Sequence, residues 1–309
     1  MRRLIPAFVL LILGASPVSA DLRIHEWGVW KIRRGEVAHL ADLRRESPPF
    51  VRQTLPGGWA GGGAVARKPV VFVYTDRPVE VAVEVRFPGG RPWLYYPSVD
   101  LEARGPVRSN LAGLGLMAPH DRLSWRVRAV PGRHSTVLPP VAAGHFWNRI
   151  RQVPSATLLA PDGTAERFLF YDGPVAFPIA YRVRHLGPDA VLEHPGPTGQ
   201  TGLVVALGDR WVPVPAMRPG AAVGISRIGW RRPPRPITTE IASRLVAAGL
   251  SRAEARSLVE TWRPEIDSPR LRAFWLLTRV EYDALLPITI APRPSELVRV
   301  GLVIEDLEP

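Results

Sequence analysis

Residues 79–87 read VEVAVEVRF, so that valine or phenylalanine occupies every second position and polar or small residues lie between them. Successive side chains of a β-strand point to opposite faces of the sheet, and this spacing therefore separates an apolar face from a polar one. The segment is predicted to be a half-buried strand of an antiparallel sheet.

Other short segments share the apolar and β-branched composition of strands, with Gly, Pro or Asp turns between them. They are residues 68–75, 91–97, 123–130, 166–171, 179–186, 202–207, 210–215 and 223–228. This spacing is typical of packed antiparallel sheets. The tripeptide Asp76-Arg77-Pro78 predicts a hairpin between residues 68–75 and 79–87, and Gly208 opens a second hairpin turn.

The periodicity changes after residue 236, where two helices are predicted. Thr238 or Thr239 is expected to cap the first helix, and Gly249 suits the position just after its end. Ser251 begins a capping box for the second helix, and Pro264 is expected to end it.

In the last part of the chain, two closing strands are predicted at residues 271–278 and 296–305. A short helical turn is predicted between them at residues 279–287. The two strands are expected to pair with each other or to extend the preceding sheet. The predicted fold is mainly β, with antiparallel β-sandwich-like sheets and a C-terminal α+β segment of two helices and final strands.

The first twenty residues, MRRLIPAFVLLILGASPVSA, have two arginines, an apolar run and a small-residue cleavage site, which is the pattern of a signal peptide. About ten apolar residues are too few to cross a hydrocarbon core of roughly 30 Å. We therefore predict an exported, periplasmic or extracellular protein with no transmembrane span after cleavage. The predicted divisions are a signal peptide at 1–20, a β-rich domain at 21–155, and a second β-rich region with the closing helices and strands at 156–309.

The composition narrows the class of partner. The formal charge is +12, but Lys31 and Lys68 are the only lysines and the arginines are dispersed rather than clustered. Dispersed arginines on an exported chain argue against nucleic acid and favour an anionic envelope component or a polysaccharide. The absence of cysteine excludes disulfides and thiolate ligands, and the sequence indicates no cofactor.

The stretch IHEWGVW, residues 24–30, crowds reactive and aromatic side chains into a predicted strand. His25 and Trp27 share one face, whereas Glu26 and Gly28 share the other. Glu26 is expected to pair with a buried arginine; the alternative is a catalytic acid. Gly28 predicts that a ring or another backbone lies across it.

The motifs of common catalytic sites are missing. No histidine pair has the HxH or HExxH spacing of a metal site, no serine lies in GxSxG, and the glycine-rich stretch at residues 56–64 lacks the lysine of a phosphate loop. The remaining candidates for catalysis are Glu26, His25, His145 and Arg151. The candidates for ligand binding are aromatic residues that either stack on sugar rings or fill the core, namely Trp93, Tyr95, Tyr96 and Trp147.

Several motifs, in order, resemble a group of secreted bacterial proteins in which His-Glu-Trp-Gly-Thr-Phe follows the signal peptide. The similar segments are IHEWGVW, KPVVFVYT with VEVRFPGG, HFWNRIRQVPSA, ERFLFYDG, AGLSRAEARSLVETW and LLPITIAPRPSELVRVGLVIE. The matching positions are His25, Glu26, Trp27, Gly28, His145, Arg151, Phe170, Tyr171 and Gly173. The chain departs from the group at Val29, Trp30 and Asp172, the last of which replaces an arginine. The resemblance implies the fold and export and assigns no activity.

The sequence leaves two candidate functions open. The first is a non-catalytic binding or structural protein of the cell envelope. The second is a hydrolase of an envelope polymer or glycan, with Glu26 or a histidine as acid or base. A hydrolase is expected to gather these candidates in one polar cleft.

Overall fold

The computed structural model describes most of the chain that follows the predicted signal peptide. The described residues are 20–32, 38–54, 60–61, 65–88, 90–100, 121–132, 137–175, 177, 181–186, 189–194, 196, 199–226, 230 and 233–308. The predicted signal peptide and most of the glycine-rich stretch lie outside them.

Nineteen strands and five helices are assigned in the described residues. The strands are β1 Arg23–Ile32, β2 Ala38–His39, β3 Arg52–Gln53, β4 Ala60–Gly61, β5 Val65–Tyr74, β6 Val79–Arg86, β7 Leu94–Tyr96, β8 Arg122–Val130, β9 Thr157–Leu159, β10 Ala165–Glu166, β11 Leu169–Pro174, β12 Arg182–Leu186, β13 Asp189–Glu193, β14 Val204–Leu207, β15 Arg210–Pro213, β16 Ala222–Ile225, β17 Leu271–Leu276, β18 Ile288–Ala291 and β19 Glu296–Asp306. The helices are α1 Leu40–Arg45, α2 Phe146–Ile150, α3 Ile237–Ala247, α4 Arg252–Ile266 and α5 Arg279–Leu285.

A nine-stranded sheet forms the centre, in the order β15-β14-β17-β19-β1-β5-β11-β7-β3. β1 lies in the middle, antiparallel to β5 and parallel to β19. Smaller sheets have the orders β10-β9-β8-β6-β18 and β12-β13-β16. The predicted mainly β, largely antiparallel fold with C-terminal helices and closing strands is therefore confirmed.

The two faces of the central sheet pack against different partners. One face shares a core with the five-stranded sheet, where Trp30 and Val71 meet Val83 and Trp125. The other face packs against the helices, where Trp27 shares a core with Leu258 and other apolar side chains of α3 and α4. The alternation predicted for β6 and β1 decides which residue enters which core.

The predicted hairpin between residues 68–75 and 79–87 is wrong. β5 pairs with β1 and β11 in the central sheet, whereas β6 pairs with β8 and β18 in the outer sheet. Residues 70–73 of β5 are completely buried, as expected for a central strand covered on both faces. Both edges of β5 are already hydrogen-bonded, so the turn at residues 76–78 carries the chain to the other sheet.

The ends of α3 and α4 confirm some of the predicted capping and stop residues and show that others are wrong. Ser251 and Glu254 form the predicted capping box, and Gly249 has a positive φ of 107° after α3. The predicted threonine cap of α3 is wrong, because Pro236 is the N-cap and makes no side-chain cap bond. The predicted end at Pro264 is also wrong: α4 continues to Ile266, which is buried and so holds the last turn against the core.

Other predicted segments match with small changes. The segment at residues 166–171 is divided between β10 and β11, and the closing strands β17 and β19 pair antiparallel as expected. Strands from both sides of the predicted division at residue 155 belong to the central sheet; the division itself stays a prediction. Among the described residues, no helix combines the length and apolar character needed to cross a membrane.

Candidate functional site

Glu26 forms a buried ion pair rather than lining a cleft. Its Oε2 atom lies 2.5 Å from Nε of Arg299, and its Oε1 atom accepts a hydrogen bond from the hydroxyl of Tyr171. The side chains of Glu26 and Arg299 have no exposed surface. Arg299 also donates to Asp283 at 2.6 Å and stacks over the ring of Tyr282 at 4.2 Å. The prediction of an arginine partner for Glu26 is confirmed.

The charge of this pair affects the tyrosines beside it. Burial and the Glu26 carboxylate raise the pKa of both Tyr171 and Tyr282 well above the usual value of 10.0. Both phenols therefore stay neutral, and Tyr171 serves as a hydrogen-bond donor. The arrangement is that of a structural network.

His25 lies on the opposite face of β1, as the alternation predicts. Its Nδ1 atom is 3.0 Å from Oε2 of Glu254, the residue that completes the capping box of α4. Tyr74 and the backbone N–H of Ser251 also donate to this carboxylate. Burial opposes ionisation, but these hydrogen bonds hold the pKa of Glu254 below its ordinary value. His25 thus connects the first strand to the start of α4.

Arg151 is committed to a second buried carboxylate. Its Nη2 atom lies 2.6 Å from Oε2 of Glu166, which also accepts a 2.8 Å hydrogen bond from Nε1 of Trp147. Another guanidinium N–H of Arg151 donates to the carbonyl of Pro139. This network fastens the end of α2 to β10.

His145 caps the N-terminus of α2. Its Nδ1 atom accepts a hydrogen bond from the backbone N–H of Trp147 at 3.1 Å, so that Nε2 carries the proton and donates to the carbonyl of Glu46 at 3.1 Å. Burial lowers the pKa of His145 from its ordinary value of 6.5. His25, Glu26, His145 and Arg151 each have their own partner, and no hydrogen bond joins any two of them.

The four candidate aromatic residues are in the core. Trp93, Tyr95, Tyr96 and Trp147 are all at least 92 % buried, because none has more than 8 % of its surface exposed. Trp147 packs on Tyr96, on Phe170 of the central sheet and on Phe168, which precedes β11. Their role is therefore to fill the core, which was the alternative to sugar stacking.

A buried polar cluster around Lys68 was not found by sequence reasoning. Lys68 lies at a bulge of β5 with a φ of 52°, which is unusual for a residue with a side chain. Its Nζ atom lies 2.7 Å from Glu46 and between the rings of Phe146 and Trp262, at 4.9 and 4.8 Å. The available signals were its place before Pro69 and the rarity of lysine.

The ionisation of this cluster is strongly perturbed. Burial lowers the pKa of Lys68 from its ordinary value of 10.5. Burial also raises the pKa of Asp172 to about 6. The pKa of Glu46 falls to about 2, because Lys68 and Arg67 outweigh the effect of its burial. Perturbed groups at a strained backbone position mark a functional candidate, but the interactions seen here fix β5 to β11 and the helices.

A more accessible site lies between α3 and α4, in an open groove that we name the arginine groove. It has a volume of about 500 Å³. Its lining consists of Thr238, Thr239, Ala242, Ser243 and Val246 from α3 and Arg252, Ala255, Arg256, Val259, Glu260 and Arg263 from α4. Ala255 and Val259 are buried and form an apolar floor.

The arginines of this groove share one side of α4 because they are four and seven residues apart. Arg252, Arg256 and Arg263 are all exposed. Arg263 lies 3.7 Å from Asp267, whereas Arg252 and Arg256 form no hydrogen bond or ion pair with any residue that the structure describes. The groove therefore presents two guanidinium groups, those of Arg252 and Arg256, that pair with no side chain in the described part of the chain.

The described side chains include no group of three or more His, Asp and Glu that converge as metal ligands do. Comparison of the chain with protein-family models, with curated proteins and with solved structures found no match.

Proposed function

We propose that the chain is an exported protein of the cell envelope that binds an anionic ligand in the arginine groove and carries out no reaction there. The observation that carries this proposal is the pair Arg252 and Arg256, one helical turn apart, exposed and unpaired within the described residues. A bound anion would supply the counter-charge that Arg252 and Arg256 lack within the described residues.

The position of the two arginines is unfavourable without a ligand. Like charges at i and i+4 on a helix repel each other by a few tenths of a kcal/mol. Arg252 is also in the first turn of α4, where the helix macrodipole disfavours a cation. A carboxylate, sulfate or phosphate between the guanidinium groups would remove both costs and accept charge-assisted hydrogen bonds.

The rest of the groove suits an acidic carbohydrate. Thr239 and Ser243 place hydroxyl groups along one side, and Ala255 and Val259 form an apolar floor for the face of a sugar ring. This lining agrees with the anionic envelope component or polysaccharide expected from the charge of the chain. The predicted signal peptide supports the location.

The hydrolase alternative has less support. An acid or base must reach the proton that it transfers, yet Glu26 is fully buried and paired with Arg299. His25 and His145 each use a ring nitrogen in a contact that holds two elements together. These roles account for the three residues without a reaction.

The proposal is tested by titrating the purified mature protein with a soluble acidic polysaccharide, polygalacturonate, and with neutral dextran. Calorimetry should detect binding of polygalacturonate and no binding of dextran. The affinity for polygalacturonate should fall as salt is added. The double variant Arg252→Ala/Arg256→Ala should bind at least tenfold more weakly, with a melting temperature equal to or slightly above that of the original chain.

The matched control is Arg128→Ala/Arg184→Ala, which removes the same charge from exposed arginines on β8 and β12. It should bind as tightly as the original chain. Equal losses of affinity in the two double variants would show that binding depends only on net charge. This result would overturn the assignment of the binding site to the groove. Absence of binding, or hydrolysis of polygalacturonate by the protein, would also overturn the proposal.

A further inference from the structure

A second, much smaller groove lies on the other side of α4. It has a volume of about 10 Å³ and separates α4 from α2. Arg149 and Gln152 line it from the α2 side, and Arg256 and Glu260 line it from α4. Arg149 is partly exposed and, like Arg256, has no hydrogen-bond or ion-pair partner among the described residues.

Arg256 and Glu260 therefore belong to both grooves. They form the ridge of α4 that stands between the arginine groove and the smaller one. A ligand that contacts Arg252 and Arg256 on one side has to cross only this ridge to reach Arg149. Along α4 itself, Arg252 and Arg263 are roughly 16 Å apart, at 1.5 Å per residue.

Resting on the proposed function, we infer that the ligand is an extended polyanion that crosses α4 and contacts the arginines of both grooves. A single small anion can neutralise one pair of guanidinium groups, which leaves Arg149 without a counter-charge. A chain with repeated negative charges can meet them all. The smaller groove is too narrow to enclose a sugar ring, so its contribution is the charge of Arg149 at its rim.

Glu260 provides a contact of opposite sign. Glu260 lines both grooves, and its carboxylate has no hydrogen-bond or ion-pair partner within the described part of the chain. A polyanion that crosses the ridge passes close to this charge and is repelled by it. Removing the charge should therefore strengthen the binding of a crossing ligand.

The test compares digalacturonate with long polygalacturonate on the mature protein and three variants. Arg149→Ala should weaken binding of the long chain about threefold to tenfold and leave digalacturonate binding unchanged. Glu260→Gln should strengthen binding of the long chain. Arg128→Ala should leave the affinity for both ligands unchanged. Thermal unfolding of each variant checks that the fold is intact.

The outcomes separate this inference from the proposed function. If both ligands bind equally well and Arg149→Ala changes the affinity for neither of them, the extended ligand is refuted. Anion binding in the arginine groove would then still be supported. If neither ligand binds, the proposed function fails and the inference fails with it. A long chain that binds more tightly, but with no dependence on Arg149 or Glu260, also overturns the crossing path.

Discussion

The carboxylate of Glu26 lies 2.5 Å from Nε of Arg299, and the two residues face each other in the register of β1 and β19. The pair joins the first strand of the described chain to the last strand. Tyr171 of β11 and Asp283 of α5 complete the network. One buried charge pair thus connects four elements, of which β1 and β11 are far in sequence from each other and from α5 and β19.

Replacing Glu26 with glutamine should lower the free energy of unfolding by about 3 kcal/mol, because the positive charge of Arg299 would stay buried with only Asp283 as a charged partner. Urea unfolding measures the effect. Asp283→Asn is the matched control, with an expected loss below about 1 kcal/mol, since Asp283 is 40 % exposed. An unchanged stability of Glu26→Gln would contradict the structural role.

Two side chains that pack closely against Gly301 make this position sensitive to substitution. A β-carbon there would lie 2.5 Å from Cζ3 of Trp30 and 2.9 Å from Cδ1 of Leu277. Gly301→Ala should therefore cost about 1–3 kcal/mol of stability through overpacking. Gly28→Ala, at the paired position of β1, should cost less, because its nearest contacts are 3.2 Å from Pro69 and 3.3 Å from the hydroxyl of Tyr282. Thermal unfolding of the two variants gives the comparison, and the reverse order would refute it.

Ser251→Ala should destabilise the protein by about 1 kcal/mol, because the hydroxyl accepts the backbone N–H of Glu254 at the start of α4. Ser251→Thr keeps the acceptor and should recover most of the loss. The measurement is the midpoint of urea unfolding. Equal midpoints for the alanine variant and the original chain would show that the cap contributes nothing.

Asp172 should make stability depend on pH between about 4 and 6. Its pKa in the folded chain is about 6 and its ordinary value is 3.8, so folding favours the protonated acid. This contribution is complete below pH 3.8 and is lost as the pH rises through 6. Asp172→Asn imitates the neutral acid, and should be more stable than the original chain at pH 7 by about 2–3 kcal/mol.

The advantage of Asp172→Asn should shrink as the pH falls toward 4. Glu46 acts in a different window, because its pKa is lowered to about 2 and its contribution is lost as the pH falls through that value. Unfolding in urea at pH 4, 5, 6 and 7 separates the two groups. A difference between the two chains that does not change with pH would count against the burial of a protonated Asp172.

Export predicts a mature chain that begins at Asp21. Cleavage there would turn the backbone nitrogen of Asp21, which lies 3.0 Å from Oδ1 of Asp76, into an ammonium group and so create an ion pair. Intact mass spectrometry of envelope protein should find this N-terminus. A full-length chain confined to the cytosol would refute export.

The local signals of the sequence were sufficient for part of the secondary structure, but they did not indicate α1, α2, β9, β13 or β18. The alternation in β6 and the Ser251 capping box depend on residues only a few positions apart, so they predict a strand and a helix start without knowledge of the rest. The same alternation placed His25 and Glu26 on opposite faces. An arginine was predictable as the type of partner for Glu26, because nearly all basic residues of the chain are arginines.

The identity of that partner was decided by the tertiary structure. Arg299 is 273 residues from Glu26 and reaches it only because β19 pairs with β1. Pairing of distant strands likewise left no free edge of β5 for the predicted hairpin with β6, and packing of α2 and α4 on the sheet enclosed Lys68. Local patterns determine which elements form and which faces they bury, whereas the energy of burying those faces together determines which elements become neighbours.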